Sequence, residues 1–515
     1  MEASTPALLK FLIPKTPFIL KTALAHTLSL SDTSSKWDLR TELTIRILRH
    51  ILGPDSPTST ITKQQRLTTK DPGVKGPVWV SKVKCDLSPE DNDAGLRDAV
   101  FNAIVELNVP SDREGNEKEI LFNTNCTPQP LEAEWHGYRA NVTPSTPEPA
   151  NMSETEKYAS LIKETTSKVT ILYFHGGAMF LLDPSTYRDK TSRLAKDTGG
   201  RVYSVRYRLA PQNPFPAALL DAFHAYLTLL YPPPDAPHTA IPASEIVFAG
   251  DSAGGNLCTA LLQLLLQLNR SSYFAQNPLT FHTHKIDHPI PLPAALALVS
   301  PWLDVTRSLP SVESFAHFDY LPSPSQTHGI KIPSCPAWPS PPPRADLYCE
   351  TAALCHPLVS PIAARDWTGS PPVFFSVGQE MLRDEGAVLA QRLHAQNVPV
   401  LWREFEAAPH VFAYMLEHFP GTAIHFKDFE EFCRGVVEGE EGRKGVKSSA
   451  QFISGKTVER RAVRFEELTE LGDDEVSRLM GEGKKRLGEK FERERSGVSG
   501  VGREGEGSAE VRPML

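Results

Sequence analysis

Apolar residues along the chain fall into three regimes of spacing. Over residues 1 to about 70 they recur at helical intervals, as in Leu39, Leu43 and Ile47, and a Pro/Ser/Thr-rich stretch after Gly53 and Pro54 closes the pattern. From about 70 to 435, short apolar runs alternate with helical stretches. The runs are 78–84, 131–138, 169–174, 202–207, 246–249, 294–299, 373–377 and 398–405. Several are rich in Val, Ile, Phe and Tyr and bounded by Gly or Pro, as buried strands are. Helical stretches between them, such as 217–230 and 256–268, predict βαβ units. The expected fold is α/β: a mostly parallel eight-stranded sheet flanked by helices, its first two or three strands antiparallel.

Two insertions break this alternation, one over 269–293 and a proline- and serine-dense one over 318–345. Insertions of that length in a compact domain serve as lids or substrate loops, or stay unstructured. Beyond 435 the chain turns Gly/Glu/Lys/Arg-rich. Residues 436–515 are expected to form a charged, partly disordered tail, with a helix over 466–490 and disorder from 492 onward. The division is a helical cap segment (1–70), an α/β domain that carries both insertions (71–435) and that tail.

Composition narrows the function. Of 515 residues, 40% are hydrophobic and 23% charged, and the net charge is −8. That balance lacks the concentrated basic face a nucleic-acid partner demands. Seven cysteines include no CxxC pair and no His/Cys ligand spacing, so neither a metal site nor a disulfide framework is expected. No cofactor is called for, and the cysteine usage fits a reducing, cytoplasmic setting. The apolar stretch over residues 7–30 is interrupted by Lys10, Lys15, Lys21, Pro14 and Pro17, which argues against a spanning helix or a signal peptide. It reads as a cap helix with a peripheral membrane contact.

The chemistry concentrates in four places. Gly250-Asp251-Ser252-Ala253-Gly254-Gly255 follows a predicted strand and opens a predicted helix, the context a nucleophile elbow requires. Small neighbours let the serine occupy a tight, strained turn, with its hydroxyl beside the positive end of the next helix. His175-Gly176-Gly177-Ala178 directly follows another strand. Acyl transfer builds charge on a carbonyl oxygen, and each backbone N–H held ready for it is worth roughly 10²–10³ in rate. Gly176, Gly177, Ala178 and Ala253 are the candidate donors, with His175 a structural residue that orients the loop.

Ser252 then needs a base and an acid that orients it, in the order Ser, acid, His. His410 follows the last strand in Ala408-Pro409-His410-Val411. His394, His418 and His425 lie in or beyond helical patterns, and His356 breaks the order. Past the run 373–377, Glu380 is the first carboxylate. Asp384 is the alternative acid, although it also suits the cap of the following helix.

With these motifs, and with the passage from Tyr207-Arg208-Leu209-Ala210-Pro211 to Ala217-Ala218, the chain resembles the hormone-sensitive-lipase-like branch of the α/β-hydrolase superfamily, which includes arylacetamide-deacetylase-type carboxylesterases. The likeness covers residues 77–412. It implies a serine hydrolase whose preceding segment caps the active site. Two departures stand out: Ala178 replaces a frequent third glycine, and Glu380 stands where the family's Asp-x-Leu-x-Asp pattern has its first aspartate. The leading expectation is hydrolysis of short- to medium-chain acyl esters through an acyl-enzyme on Ser252. An amidase or deacetylase on the same triad and a non-catalytic small-ligand receptor are the alternatives. Receptors that resemble plant gibberellin receptors replace the catalytic histidine, whereas His410 is present. Oligomeric state has no signature in the sequence.

Overall fold

All eight apolar runs form strands: β1 (Val78–Cys85), β2 (Leu131–Tyr138), β3 (Thr170–Phe174), β4 (Arg201–Arg206), β5 (Ile246–Asp251), β6 (Ala295–Val299), β7 (Val373–Gly378) and β8 (Val400–Phe405). The computed structural model describes residues 13–53, 58–87, 94–108, 123, 125–282, 284–327, 330–439 and 441–497. Two further strands, β9 (Ser449–Ile453) and β10 (Arg460–Val463), extend the sheet to ten, in the order β1-β2-β4-β3-β5-β6-β7-β8-β9-β10. The pairs from β4 through β9 are parallel. The pairs β1/β2, β2/β4 and β9/β10 are antiparallel.

The eight-stranded expectation and the reading of residues 436–515 as a charged tail are therefore corrected together. Alternation in β9 sends Ala450 into one core and Ile453 into the other, which suits a strand added to a sheet covered on both faces. The predicted tail helix starts later, at Asp473, and runs to Gly497, so residues 492–497 are helical rather than disordered. Val476 and Met480, one turn apart, enter the main core, and Asp473 accepts from Arg392 at 2.5 Å. Residues 498–515 lie outside the described residues.

The longer helices are α1 (Thr16–Thr27), α2 (Leu39–Leu52), α3 (Ile61–Thr68), α4 (Ala94–Glu106), α5 (Glu154–Glu164), α6 (Arg188–Thr198), α7 (Ala217–Leu230), α8 (Ala253–Arg270), α9 (Arg383–Ala395), α10 (Pro420–Glu438) and α11 (Asp473–Gly497). They divide between the two sheet faces as strand alternation demands. Leu172 and Phe174 share a core with α7, α8 and α9, while Ile171 and Tyr173 share the other with α6, α10 and α2.

The N-terminal helices lie across the loops at the carboxyl edge of the sheet. Trp37 Nε1 donates to Ala407 O at 2.6 Å, Arg49 Nε to Asp319 O at 2.9 Å, and Gln65 Nε2 to Phe180 O at 3.1 Å. In α2 the buried side carries Glu42, Ile45 and Leu52 rather than Leu39, Leu43 and Ile47. Glu42 explains the rotation, because its carboxylate accepts from Ser31, Thr33 and Arg46. Within the apolar stretch 7–30, α1 is helical and residues 7–12 lie outside the described residues. Among the described residues no helix is long and apolar enough to cross a membrane. The first insertion has structure of its own: a helix, Ser272–Gln276, and a small hairpin pairing Thr280–Phe281 with His284–Lys285.

Candidate active site

Ser252 stands between β5 and α8 with φ 52° and ψ −120°, a left-handed conformation that costs a non-glycine residue energy. Three features hold it there. Its N–H donates to Val299 O at 3.0 Å, and its carbonyl accepts from Asn256 at 3.1 Å and from Trp302 at 3.0 Å. Gly254 makes the turn possible, since a Cβ there would sit 1.9 Å from Phe174 O. Ser252 keeps partial exposure while Asp251 and Ala253 on either side are buried.

The acid and histidine meet. His410 Nδ1 donates to Glu380 Oε2, and both residues are buried. The other carboxylate oxygen accepts from Ser300 Oγ at 2.5 Å and from the Gly378 amide at 3.1 Å, so Glu380 is gripped on both sides. Burial works against a charged imidazole at His410. The charge and hydrogen bond of Glu380, supported by Asp319 and Asp251, outweigh it and raise His410 above its ordinary value. Asp384 faces elsewhere: its carboxylate accepts from Ser311 N at 2.9 Å and pairs with Arg383. It lies in the first turn of α9 but closes the amino end of a neighbouring short helix, Ser311–Ser314, rather than its own.

The glycine loop after β3 separates its amides by task. Gly176 N donates to Asp251 Oδ1 and to the Tyr187 hydroxyl, each at 3.2 Å, so it is turned away from the reaction space. Gly176 is thus corrected from oxyanion donor to loop anchor. Asp251, which also accepts from Tyr173 at 2.6 Å and Tyr187 at 2.8 Å, ties this loop to the elbow. For the amides of Gly177, Ala178 and Ala253 no partner is found among the described residues. Gly177 has φ 107° and Ala178 φ 51°, which turns the chain sharply there. His175 is buried and points its Nδ1 at the Gly176 carbonyl at 2.7 Å. The Tyr207 ring stacks on it at 4.4 Å, and the Tyr207 hydroxyl donates to its carbonyl at 2.7 Å. Burial pushes the His175 imidazole down to about 4, which keeps it neutral in this structural position.

Residues 171–414 match a protein-family model described as alpha/beta hydrolase fold. An acetyl-hydrolase of Streptomyces hygroscopicus is 32% identical over 243 residues, 47% of this chain and 67% of that protein. An arylesterase of Saccharolobus solfataricus is 30% identical over 255 residues, 49% of this chain and 71% of its own length. Human hormone-sensitive lipase is 37% identical over 95 residues, 18% of this chain and 8% of that protein.

The chain belongs to the hormone-sensitive-lipase-like α/β hydrolases.

In this hydrolase the matched segment contains every candidate site residue, while α1–α3, β9, β10 and α11 fall outside it. The competing histidines of the hydrolase are tied up in packing. His356 bonds the Ile104 carbonyl at 2.9 Å, His425 the Ser376 hydroxyl at 2.7 Å and His418 the Thr41 hydroxyl at 3.2 Å, and His394 stacks on Phe465.

Two residues beside the site escaped the sequence reading. Ser300, at the end of β6 with φ 45°, donates to Glu380 and accepts from the Val411 amide at 3.0 Å. It links acid and histidine loops while its neighbours Val299 and Trp302 hold Ser252. Asp319, buried in the second insertion, accepts from the Met381 amide at 3.1 Å, next to Glu380. Burial raises its carboxyl above the ordinary value even though His410 opposes this. A serine directly past a predicted strand end was the available signal for Ser300. Nothing local marked Asp319.

Proposed function

We propose that the protein is a serine carboxylesterase in which Ser252 is the nucleophile, His410 the base and Glu380 the orienting acid. The observation that carries this reading is the buried Glu380–His410 hydrogen bond beside an elbow serine held at positive φ. Neutral His410 accepts the hydroxyl proton of Ser252 as its oxygen attacks the ester carbonyl. The amides of Gly177, Ala178 and Ala253 donate to the oxyanion as it forms. Collapse of this adduct passes the His410 proton to the departing alcohol and leaves an acyl-Ser252. Water, deprotonated by the same histidine, attacks in turn, and the carboxylic acid leaves with Ser252 reprotonated. Glu380 fixes the tautomer of His410 and offsets the charge that the ring acquires.

Ala178 adds a methyl group beside the oxyanion donors, which supports preference for short- to medium-chain acyl groups. The contacts of Trp37, Arg49 and Gln65 with the loops around the site support the cap role of residues 1–70. The deciding experiment is a chain-length series of chromogenic esters with wild type and Ser252→Ala, paired with fluorophosphonate labelling. Labelling of wild type only, with turnover falling as the acyl chain lengthens, is expected. A folded wild type that neither labels nor turns over any ester overturns the reading in favour of a ligand-binding role.

A peripheral membrane contact through α1 has its own support. Leu20, Leu24 and Leu28 recur every fourth residue and are 63%, 60% and 57% exposed, and Ile13 and Leu30 extend the apolar face. Wild type should co-sediment with phospholipid vesicles and Leu20→Glu/Leu24→Glu should not. Equal sedimentation of the two rejects the contact.

A further inference from the structure

Three donor atoms converge far from Ser252, on groups that the esterase chemistry does not use. Cys85 ends β1, His224 lies on α7, and His282 sits in the turn of the hairpin inside the first insertion. Cys85 Sγ is 3.3 Å from His282 Nε2 and 3.7 Å from His224 Nε2, and the three donor atoms all lie within 4.8 Å of one another. They are 5%, 1% and 9% exposed for Cys85, His224 and His282. Four strand spacings separate β1 from β5 in the sheet order, roughly 19 Å, so the cluster is distinct from the active site.

The two sulfur-to-nitrogen spacings are those of a coordination shell. A tetrahedral zinc ion with bonds of about 2.3 Å to sulfur and 2.0–2.1 Å to nitrogen sets S···N edges of about 3.6 Å. The two observed edges bracket that length. As a hydrogen-bond cluster the same atoms gain little, because sulfur is a weak donor and acceptor and here meets two imidazoles and the Thr228 hydroxyl. The surroundings also favour a cation. The backbone carbonyl of Gln129 lies close enough to act on the His224 imidazole, the kind of outer partner that orients a ligating ring. Thr228 Oγ1 donates to the sulfur at 3.7 Å, and the carboxylates of Asp86 and Asp235 lie close enough to act on it.

We propose that Cys85, His224 and His282 form a structural Zn²⁺ site, with one water as the fourth ligand, that staples the first insertion to the edge of the sheet. On binding, the Cys85 thiol loses its proton to solvent and the thiolate bonds the metal, while the two imidazoles bind through neutral nitrogens. No electron is transferred. The three ligands come from three separate elements, so the ion fixes a hairpin that otherwise rests on Phe281, Ile286 and Ile290.

The test uses the full chain, expressed with zinc, dialysed against metal-free buffer and assayed by elemental analysis. One zinc per chain is expected, and Co²⁺ added to stripped protein should give thiolate-to-cobalt charge-transfer absorption. Cys85→Ser should abolish that absorption. His282→Ala, in an insertion turn where the fold is tolerant, should weaken zinc binding by more than the roughly 10–100-fold that loss of an outer partner costs. It should also expose residues 269–293 to limited proteolysis while ester hydrolysis persists. A wild type without stoichiometric zinc, or His282→Ala retaining zinc at wild-type affinity, overturns the proposal. Should Cys85→Ser fail to fold, His282→Ala alone decides.

Discussion

Two histidine–glutamate pairs are buried among the described residues, and they do opposite things. His136 Nε2 meets Glu134 Oε2 at 2.9 Å on β2, much as His410 meets Glu380 beside the elbow. Around Glu134, however, Arg188 donates to both carboxylate oxygens, at 2.8 and 2.7 Å, and the second nitrogen of His136 bonds Thr191 at 2.7 Å. Burial, with Arg188 adding to it, holds His136 below its ordinary value despite Glu134. Among the described residues no arginine bonds Glu380. Asp319 and Asp251 add further negative charge there, and His410 is raised. A buried His–Glu hydrogen bond is therefore no mark of catalysis by itself. The surrounding charge decides whether the imidazole is ready to take a proton, and Arg188 makes the first pair a structural brace.

That contrast is open to attack at each pair. The largest effect is expected at the nucleophile: Ser252→Ala should lower kcat by roughly 10⁶-fold with the circular dichroism spectrum unchanged. Glu380→Gln should cost about 10⁴-fold and move the acid limb of kcat/KM. Neutral His410 is the active form, so activity falls as pH drops through its raised value, above about 6.5. Without the carboxylate that limb shifts to lower pH, and a profile left in place would break the comparison. Glu134→Gln should do the reverse. With Arg188 left less compensated, urea denaturation should show a loss of about 3 kcal/mol, while kcat stays within a few-fold.

Ser300→Ala leaves the Val411 amide without its acceptor and loosens Glu380. A destabilisation of about 1–3 kcal/mol by thermal melting is expected, with a fall in kcat and little change in KM. The smallest effect belongs to Asp384→Asn, whose ester turnover should match wild type. A loss like that of Glu380→Gln would transfer the acid role to Asp384.

Much of this was legible along the chain. The eight runs became strands because inward-facing Val, Ile, Leu and Phe must be buried wherever the backbone pairs. The elbow and its base could be found because strand–turn–helix context and chain order are local or ordinal properties. Glu380 and Asp384 were not separable, four residues apart in one segment, until Ser300 and Gly378 were seen to grip one and Ser311 the other. The tail misled because its charged composition hid a short alternating strand and a helix with two apolar contacts. Such elements are stabilised by the sheet edge and core they join rather than by their own composition.

The sequence by itself determined the α/β alternation, the elbow at Ser252 and the candidate partners that follow it, because periodicity and turn chemistry are written residue by residue. Only the tertiary structure decided which carboxylate His410 meets, that Gly176 anchors rather than donates, and that β9, β10 and α11 belong to the fold. It alone brought Cys85, His224 and His282 together across nearly two hundred residues. Each of those outcomes depends on distances between segments remote in the chain, and no local pattern encodes a distance.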